Sequence, residues 1–261
     1  MFPSSLAESH CSSSVQAGCF CKDICANVKV AVFDLGGTLM EYKGMHLSWD
    51  GYYKGAFEYV DNFLSLGLSS AQIENAVKTL KEYNPRIKPR EKEIPAEKIF
   101  SDAVAGWKTN LPVEKIISAF FDSLSLTPVI YEDAFPVLQK LRDSGIKTAA
   151  FTDVASAMPD SLHKSYVAPL MPFFDLYVSS VSCGYRKPNP KGLRDIAEFF
   201  NVRPEELVMI GDTKRDILAA KSFGCASVLI QRENGSEPSD FGQDYTIHNA
   251  LEVCDLIASS E

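Results

Sequence analysis

Four apolar runs, each closing on a short polar or glycine-bearing segment, constrain this 261-residue chain more than any other feature. Residues 28–35 (VKVAVFDL) run into Asp34-Leu35-Gly36-Gly37-Thr38. Residues 147–152 end in Thr152, with Asp153 next. Lys187-Pro188 follows a third run at 176–180. Residues 207–211 lead into Asp212, and Asp216 comes one helical turn later. Short runs that are apolar without alternation suit parallel strands buried on both faces. Open α/β sheets bind ligands beyond the carboxyl ends of their strands. The chain is therefore expected to gather carboxylates, a hydroxyl and an ammonium at one edge of a parallel sheet.

Between the first strand and the others the pattern turns helical. Ile73, Ala76, Val77 and Leu80 recur at i, i+3, i+4, i+7, and so do Phe100, Ala103, Val104 and Trp107. Val113, Ile116, Ile117, Phe120, Phe121 and Leu124 make a third stripe, with Pro112 suited to the first turn. A further helix is expected at 52–64. Ser69 and Gln72 fit a capping box. From Tyr131 onward strands and helices alternate, with helices near 133–144, 190–200, 215–223 and 249–258 and strands at 147–152, 176–180, 207–211 and 226–230. Asn189 suits the N-cap of the second of these helices. Alternation of this kind predicts a Rossmann-like α/β core, a parallel sheet with helices on both faces. The expected division is a disordered tail at 1–27, a core at 28–45 and 128–261, and an inserted α-helical cap at 46–127.

Composition excludes some partners. With 46% hydrophobic and 23% charged residues the chain reads as globular, and a net charge of −8 argues against nucleic acid or an anionic membrane surface. No apolar run is long enough to span a bilayer. Cys11, Cys19, Cys21 and Cys25 match no common zinc spacing, and Cys183, Cys225 and Cys254 are expected as buried thiols. The odd count of seven and the lack of a secretory signal point to the cytoplasm. A monomer or homodimer is expected.

The strand-end residues share one chemistry. Asp34 is anionic near neutral pH, and a carboxylate can attack phosphorus and split a transfer into two easier steps. A second carboxylate, Asp212, makes a set that suits a hard divalent cation such as Mg²⁺. Asp216 could orient a metal-bound water or Lys187. Thr38 and Thr152 offer hydroxyls, and Lys187 offers positive charge for phosphoryl oxygens.

These segments, in this order and with a helical block after the first, resemble the four motifs of the haloacid dehalogenase-like superfamily. The resemblance covers residues 28–258. It implies a nucleophilic Asp34, Mg²⁺ held by Asp34, the Gly36 carbonyl, Asp212 and Asp216, and a phosphoryl group held by Thr152, Asp153 and Lys187. It implies a hydrolase, in most relatives a phosphatase of small phosphate esters, whose helical cap closes over the site. One position departs from that pattern. Such phosphatases usually carry an Asp two residues after the nucleophile as general acid and base, and here Gly36 stands there. A cap residue could replace it, the leaving group could need no proton, or glycine could serve a positive φ. The alternatives are a phosphate-binding regulatory protein without turnover and a metal-independent 2-haloacid dehalogenase. A phosphonate hydrolase would need a cap lysine, and none stands out. In the cap, His46, Arg86 and Arg90 are candidate substrate contacts, with Tyr42 and Trp49 near the hinge.

Overall fold

The computed structural model describes residues 27–45, 49–232 and 239–258. The cysteine-bearing tail up to residue 26 and His46 lie outside these residues. The strands are β1 (Val30–Phe33), β2 (Met40–Tyr42), β3 (Pro128–Ile130), β4 (Lys147–Thr152), β5 (Leu176–Ser179), β6 (Leu207–Gly211), β7 (Ala226–Ile230) and β8 (Tyr245–Ile247). The helices are α1 (Tyr53–Leu64), α2 (Ser70–Tyr83), α3 (Ala96–Ala103), α4 (Val113–Ser123), α5 (Ala134–Asp143), α6 (Asp160–Tyr166), α7 (Ser180–Cys183), α8 (Lys191–Phe200), α9 (Lys214–Phe223) and α10 (Glu252–Ala258).

Six strands form one parallel sheet in the order β5-β4-β1-β6-β7-β8. The unbroken apolar character of β1 follows from its position. Ala31 and Phe33 pack with α5 and α10 on one face, and Val30 and Val32 pack with α8 and α9 on the other. Burial of such a Val or Phe side chain contributes roughly 1.5–3 kcal/mol. The chain first builds outward from β1 through β4 to β5, then crosses to the other side for β6, β7 and β8. The reversal falls between β1 and β6, and such a switch point opens a crevice at the strand ends.

The helices α1 to α4 lie between β2 and β3 in sequence and share one aromatic core. Phe120 meets Phe57 at 5.0 Å and Phe100 at 5.1 Å between ring centroids, both edge-on. The Ser69–Gln72 capping box starts α2 as expected. Helix α3 is shorter than its stripe suggested: it stops at Ala103, and Trp107 reaches the core from the following turn. Pro112 stands at the N-cap of α4, and Pro190 takes the N-cap of α8 while the Asn189 side chain accepts from Lys191 N at 3.0 Å. The antiparallel ribbon of β2 and β3, with Met40 opposite Ile130 and Tyr42 opposite Pro128, carries the chain into and out of the helical block. Val154, Ala157 and Met158, just after β4, are buried in the helical block's own core. They seat it over the carboxyl edge of the sheet. Cys225 and Cys254 are buried, whereas Cys183 is half-buried. Among the described residues no helix is long and apolar enough to cross a membrane.

Candidate active site

Asp34 extends β1 beyond its last residue, its N–H donating to the Ile210 carbonyl at 2.9 Å. The chain then turns sharply, with Gly37 N bonded to Met40 O and Leu39 N to Leu35 O. Gly37 has φ +79°, and a side chain there would collide with the Asp212 carboxylate. Only glycine permits this close approach of the turn to β6. Gly36 differs. Its φ is not left-handed, it is exposed, and a Cβ would meet nothing within 4 Å. The structural need for glycine therefore lies at Gly37, and the positive φ suggested for Gly36 is not found.

Lys187 is the centre of the site. Its Nζ stands 2.8 Å from Asp34 Oδ1 and 2.6 Å from Asp216 Oδ1, and donates to the Phe151 carbonyl at 3.1 Å. All three side chains are buried. Burial alone would lower the Lys187 pKa, but Asp216, Asp34 and Asp153 together hold it above the usual lysine value. Asp216 is filled by internal donors: its Oδ2 accepts from Thr213 N at 2.9 Å and Thr213 Oγ1 at 2.5 Å, while Oδ1 faces Lys187. Its Oδ1 contact serves to orient Lys187, and its carboxylate also lies in one cluster with Asp34 and Asp212, the set expected to hold a metal ion.

Asp212 has no such company. Its Oδ1 is buried without a hydrogen-bond partner. Burial, then repulsion from Asp34 and Asp216, pushes its pKa well above the carboxylate range. Burial also raises that of Asp34, against the pull of Lys187. Asp34, Asp212 and Asp216 present ligand oxygens within 4.8 Å of one another. An orphaned oxygen amid mutually repelling carboxylates fits a hard cation, which would relieve the repulsion and satisfy the oxygen.

Asp153 lines the cleft beside Thr152, with its carboxylate turned to other partners. Its Oδ1 accepts from Lys187 N at 3.0 Å, and its Oδ2 lies 3.3 Å from Arg215 and 3.8 Å from Arg186. A carboxylate so engaged repels a phosphoryl group and instead fixes the backbone that carries Lys187. Thr152, at the end of β4, lines the cleft. Thr38 is fully buried, its hydroxyl has no hydrogen-bond partner among the described residues, and it is not part of the cleft lining.

A cleft of about 680 Å³ is lined by Asp34, Lys187 and Asp212 together with Tyr42, Trp49 and Arg86. Tyr42 and Trp49 meet edge-on at 5.5 Å. Arg90 is not part of this lining; its guanidinium bonds the Tyr83 carbonyl and Glu93, so it braces the loop after α2. Sequence reasoning passed over Glu93 and Arg186. The side chains of both are largely shielded from solvent, and Glu93 Oε2 accepts from Arg186 Nη1 and from Ser180 Oγ at 2.6 Å. Arg186 N donates to Glu91 O at 2.6 Å, and Glu93 N to Gly184 O at 2.9 Å. The loop between α2 and α3 thereby pairs with the segment directly beside Lys187. The one available signal was that Arg186 adjoins Lys187, since a lone Glu93 carries no spacing pattern.

The haloacid dehalogenase-like hydrolase family matches residues 28–224, and the chain belongs to that family. Over 134 residues it is 31% identical to a phosphoglycolate phosphatase of Vibrio vulnificus, an alignment that spans only 58% of that protein and 50% of this one. Over 240 residues it is 27% identical to a glyceraldehyde 3-phosphate phosphatase of Methanopyrus kandleri, covering 88% of this chain and 97% of that protein. Among solved structures, a 2-haloacid dehalogenase from Pseudomonas syringae superposes with a TM-score of 0.63 at 17% identity, covering 90% of this chain and all of that one. That likeness shows the fold, so the chemistry has to be argued from the site.

Proposed function

We propose that the protein is a cytoplasmic, Mg²⁺-dependent phosphatase of small phosphomonoesters. The observation that carries this reading is the buried Asp34–Lys187–Asp216 cluster beside the orphaned Asp212 oxygen. A dehalogenase acting without metal has no use for an unneutralised Asp212, which would repel an anionic substrate.

Asp34 attacks phosphorus, forming an acyl phosphate as the ester P–O bond breaks. Lys187 balances charge on the phosphoryl oxygens, and the Thr152 hydroxyl donates to them. Asp216 and Asp153 hold Lys187 in place through its ammonium and its backbone. Asp34, Asp212 and the Gly36 carbonyl would hold Mg²⁺, whose charge offsets the repulsion between carboxylates and phosphate. Gly36 offers no acid, so the departing alkoxide takes its proton from water in the cleft. Water then attacks phosphorus, releasing orthophosphate and restoring Asp34. The cap shields the site during both steps.

The open space around Gly36 also favours a second reading, a phosphate-binding protein that has lost turnover, because nothing in the backbone forces glycine there. Phosphate release from small esters, including 2-phosphoglycolate and glyceraldehyde 3-phosphate, measured with Mg²⁺ and with chelator, separates the two. Mg²⁺-dependent release supports the phosphatase. Mg²⁺-dependent binding of these esters without release supports the binding protein.

A further inference from the structure

The cleft is lined by five cations, Arg86, Arg186, Lys187, Arg215 and Arg232. Four are already engaged. Arg186 is paired with Glu93, Lys187 with Asp34 and Asp216, and Arg215 with Asp153. Arg232 is bidentate on Asp133, bonds the Thr38 carbonyl and stacks on Tyr131. Arg86 alone has no hydrogen-bond or ion-pair partner for its guanidinium among the described residues.

Its backbone is nevertheless held in place. Arg86 N donates to Asn84 Oδ1 at 2.9 Å, and the buried Asn84 amide donates to Tyr53 Oη at 3.0 Å. Ile87 N and Lys88 N both bond the Asn84 carbonyl, closing a turn around Arg86. The far end of the same loop is pinned to the core by Glu93 and Arg186. The guanidinium therefore projects from a loop held at both ends, exposed to solvent within the cleft and within electrostatic reach of Asp212 and Asp153 and of Arg186 and Arg215. Ordering a side chain's backbone in advance reduces what binding must later order. A planar, unpaired guanidinium held in this way matches a carboxylate through two parallel hydrogen bonds.

We propose that Arg86 selects substrates carrying a second anion, specifically phosphomonoesters of small hydroxy acids, by binding their carboxylate while Lys187 and Thr152 hold the phosphoryl group. This rests on the phosphatase reading for its catalytic consequence, but not for binding.

The test compares 2-phosphoglycolate with 2-hydroxyethyl phosphate, an ester of similar size without the carboxylate. The ratio of kcat/KM values is measured for the wild type, Arg86→Gln and Arg86→Lys. Binding of the same two esters to Asp34→Asn, with and without Arg86→Gln, is measured by calorimetry in the presence of Mg²⁺. The expected preference for the carboxylate ester is about 10- to 100-fold, the range of a charged hydrogen-bonded contact. It collapses toward unity in Arg86→Gln and is partly retained in Arg86→Lys, which keeps the charge but not the fork. Equal use of both esters by the wild type, or equal loss on both in Arg86→Gln, overturns the proposal. If neither ester turns over but the binding preference still vanishes with Arg86→Gln, the phosphatase reading fails and the role of Arg86 stands.

Discussion

Replacing Gly36 with Asp tests how the site works without the acid that related phosphatases carry. No heavy atom lies within 4 Å of the new Cβ, and φ at Gly36 is outside the left-handed region. The substitution therefore brings neither clash nor backbone strain, and replacing a glycine under such conditions stabilises by about 0.4–1 kcal/mol through the unfolded chain. Against this, the new carboxylate joins Asp34, Asp212 and Asp216, whose oxygens already crowd within 4.8 Å of one another. That repulsion raises its pKa, which favours the protonated form a general acid needs near neutral pH. General acid–base assistance is worth about 10²–10⁴-fold. Gly36→Asp is expected to raise kcat for esters with poor leaving groups by at least about tenfold, the lower value allowing for imperfect placement. Esters of acidic phenols, whose leaving groups need no proton, should gain far less. Gly36→Ala is the control, expected to fold as well and to change neither rate. The assay is steady-state phosphate release, alongside thermal unfolding. A folded Gly36→Asp with unchanged kcat on alkyl esters, or equal gains on alkyl and phenyl esters, would refute the reasoning that proton transfer limits the native site.

Three further outcomes follow from the buried charges. Lys187→Met leaves Asp34 and Asp216 without their shared cation; breaking such a buried pair costs about 3–5 kcal/mol, so urea unfolding should show a loss of that size together with loss of phosphate release. Glu93→Gln strands the Arg186 guanidinium, and Arg186→Gln in the same protein should recover part of the loss, with a coupling of about 0.5–3 kcal/mol in a double-mutant cycle. His163 is held neutral, its pKa lowered to about 4 by burial and only partly offset by Asp160. Its Nδ1 stands 2.9 Å from Tyr177 Oη. The unfolded chain takes up that proton below about pH 6.5, so this group's contribution to stability is lost as pH falls from about 6.5 toward 4. Between about pH 7 and pH 4.5 the wild type should lose about 2 kcal/mol more than His163→Gln, measured by denaturant unfolding at both values. Equal losses would place the acid sensitivity elsewhere.

The parts of the fold that could be read from sequence are those where one physical constraint acts alone. The strands β4, β6 and β7 occupy the residues expected, because burial on both sheet faces leaves an unbroken apolar run. Helix α2 likewise starts at its capping box. The ribbon of β2 and β3 was invisible because three-residue strands carry no period. The edge strand β8 was hidden for the same reason. At the site, Asp34, Thr152 and Asp212 come together from strand ends, whereas Lys187 joins them from the loop after α7. Asp153 shows what sequence leaves out: it lines the cleft beside Thr152, but only the fold reveals that Arg215 and the Lys187 backbone engage its carboxylate. Arg86 and Arg90 were indistinguishable in a basic, proline-flanked loop. Only the folded loop, with Glu93 and the Tyr83 carbonyl capturing Arg90, leaves Arg86 facing the cleft.

In the proposed mechanism the Asp34 carboxylate is the group that takes the phosphoryl transfer. Phosphate release from 2-phosphoglycolate in Mg²⁺ by the wild type and by Asp34→Asn, purified in parallel and matched for folded fraction, tests it most directly. Turnover by the wild type is expected, with a loss of about 10³-fold or more in the variant, since an amide cannot replace the nucleophile. Comparable turnover in both proteins would contradict it.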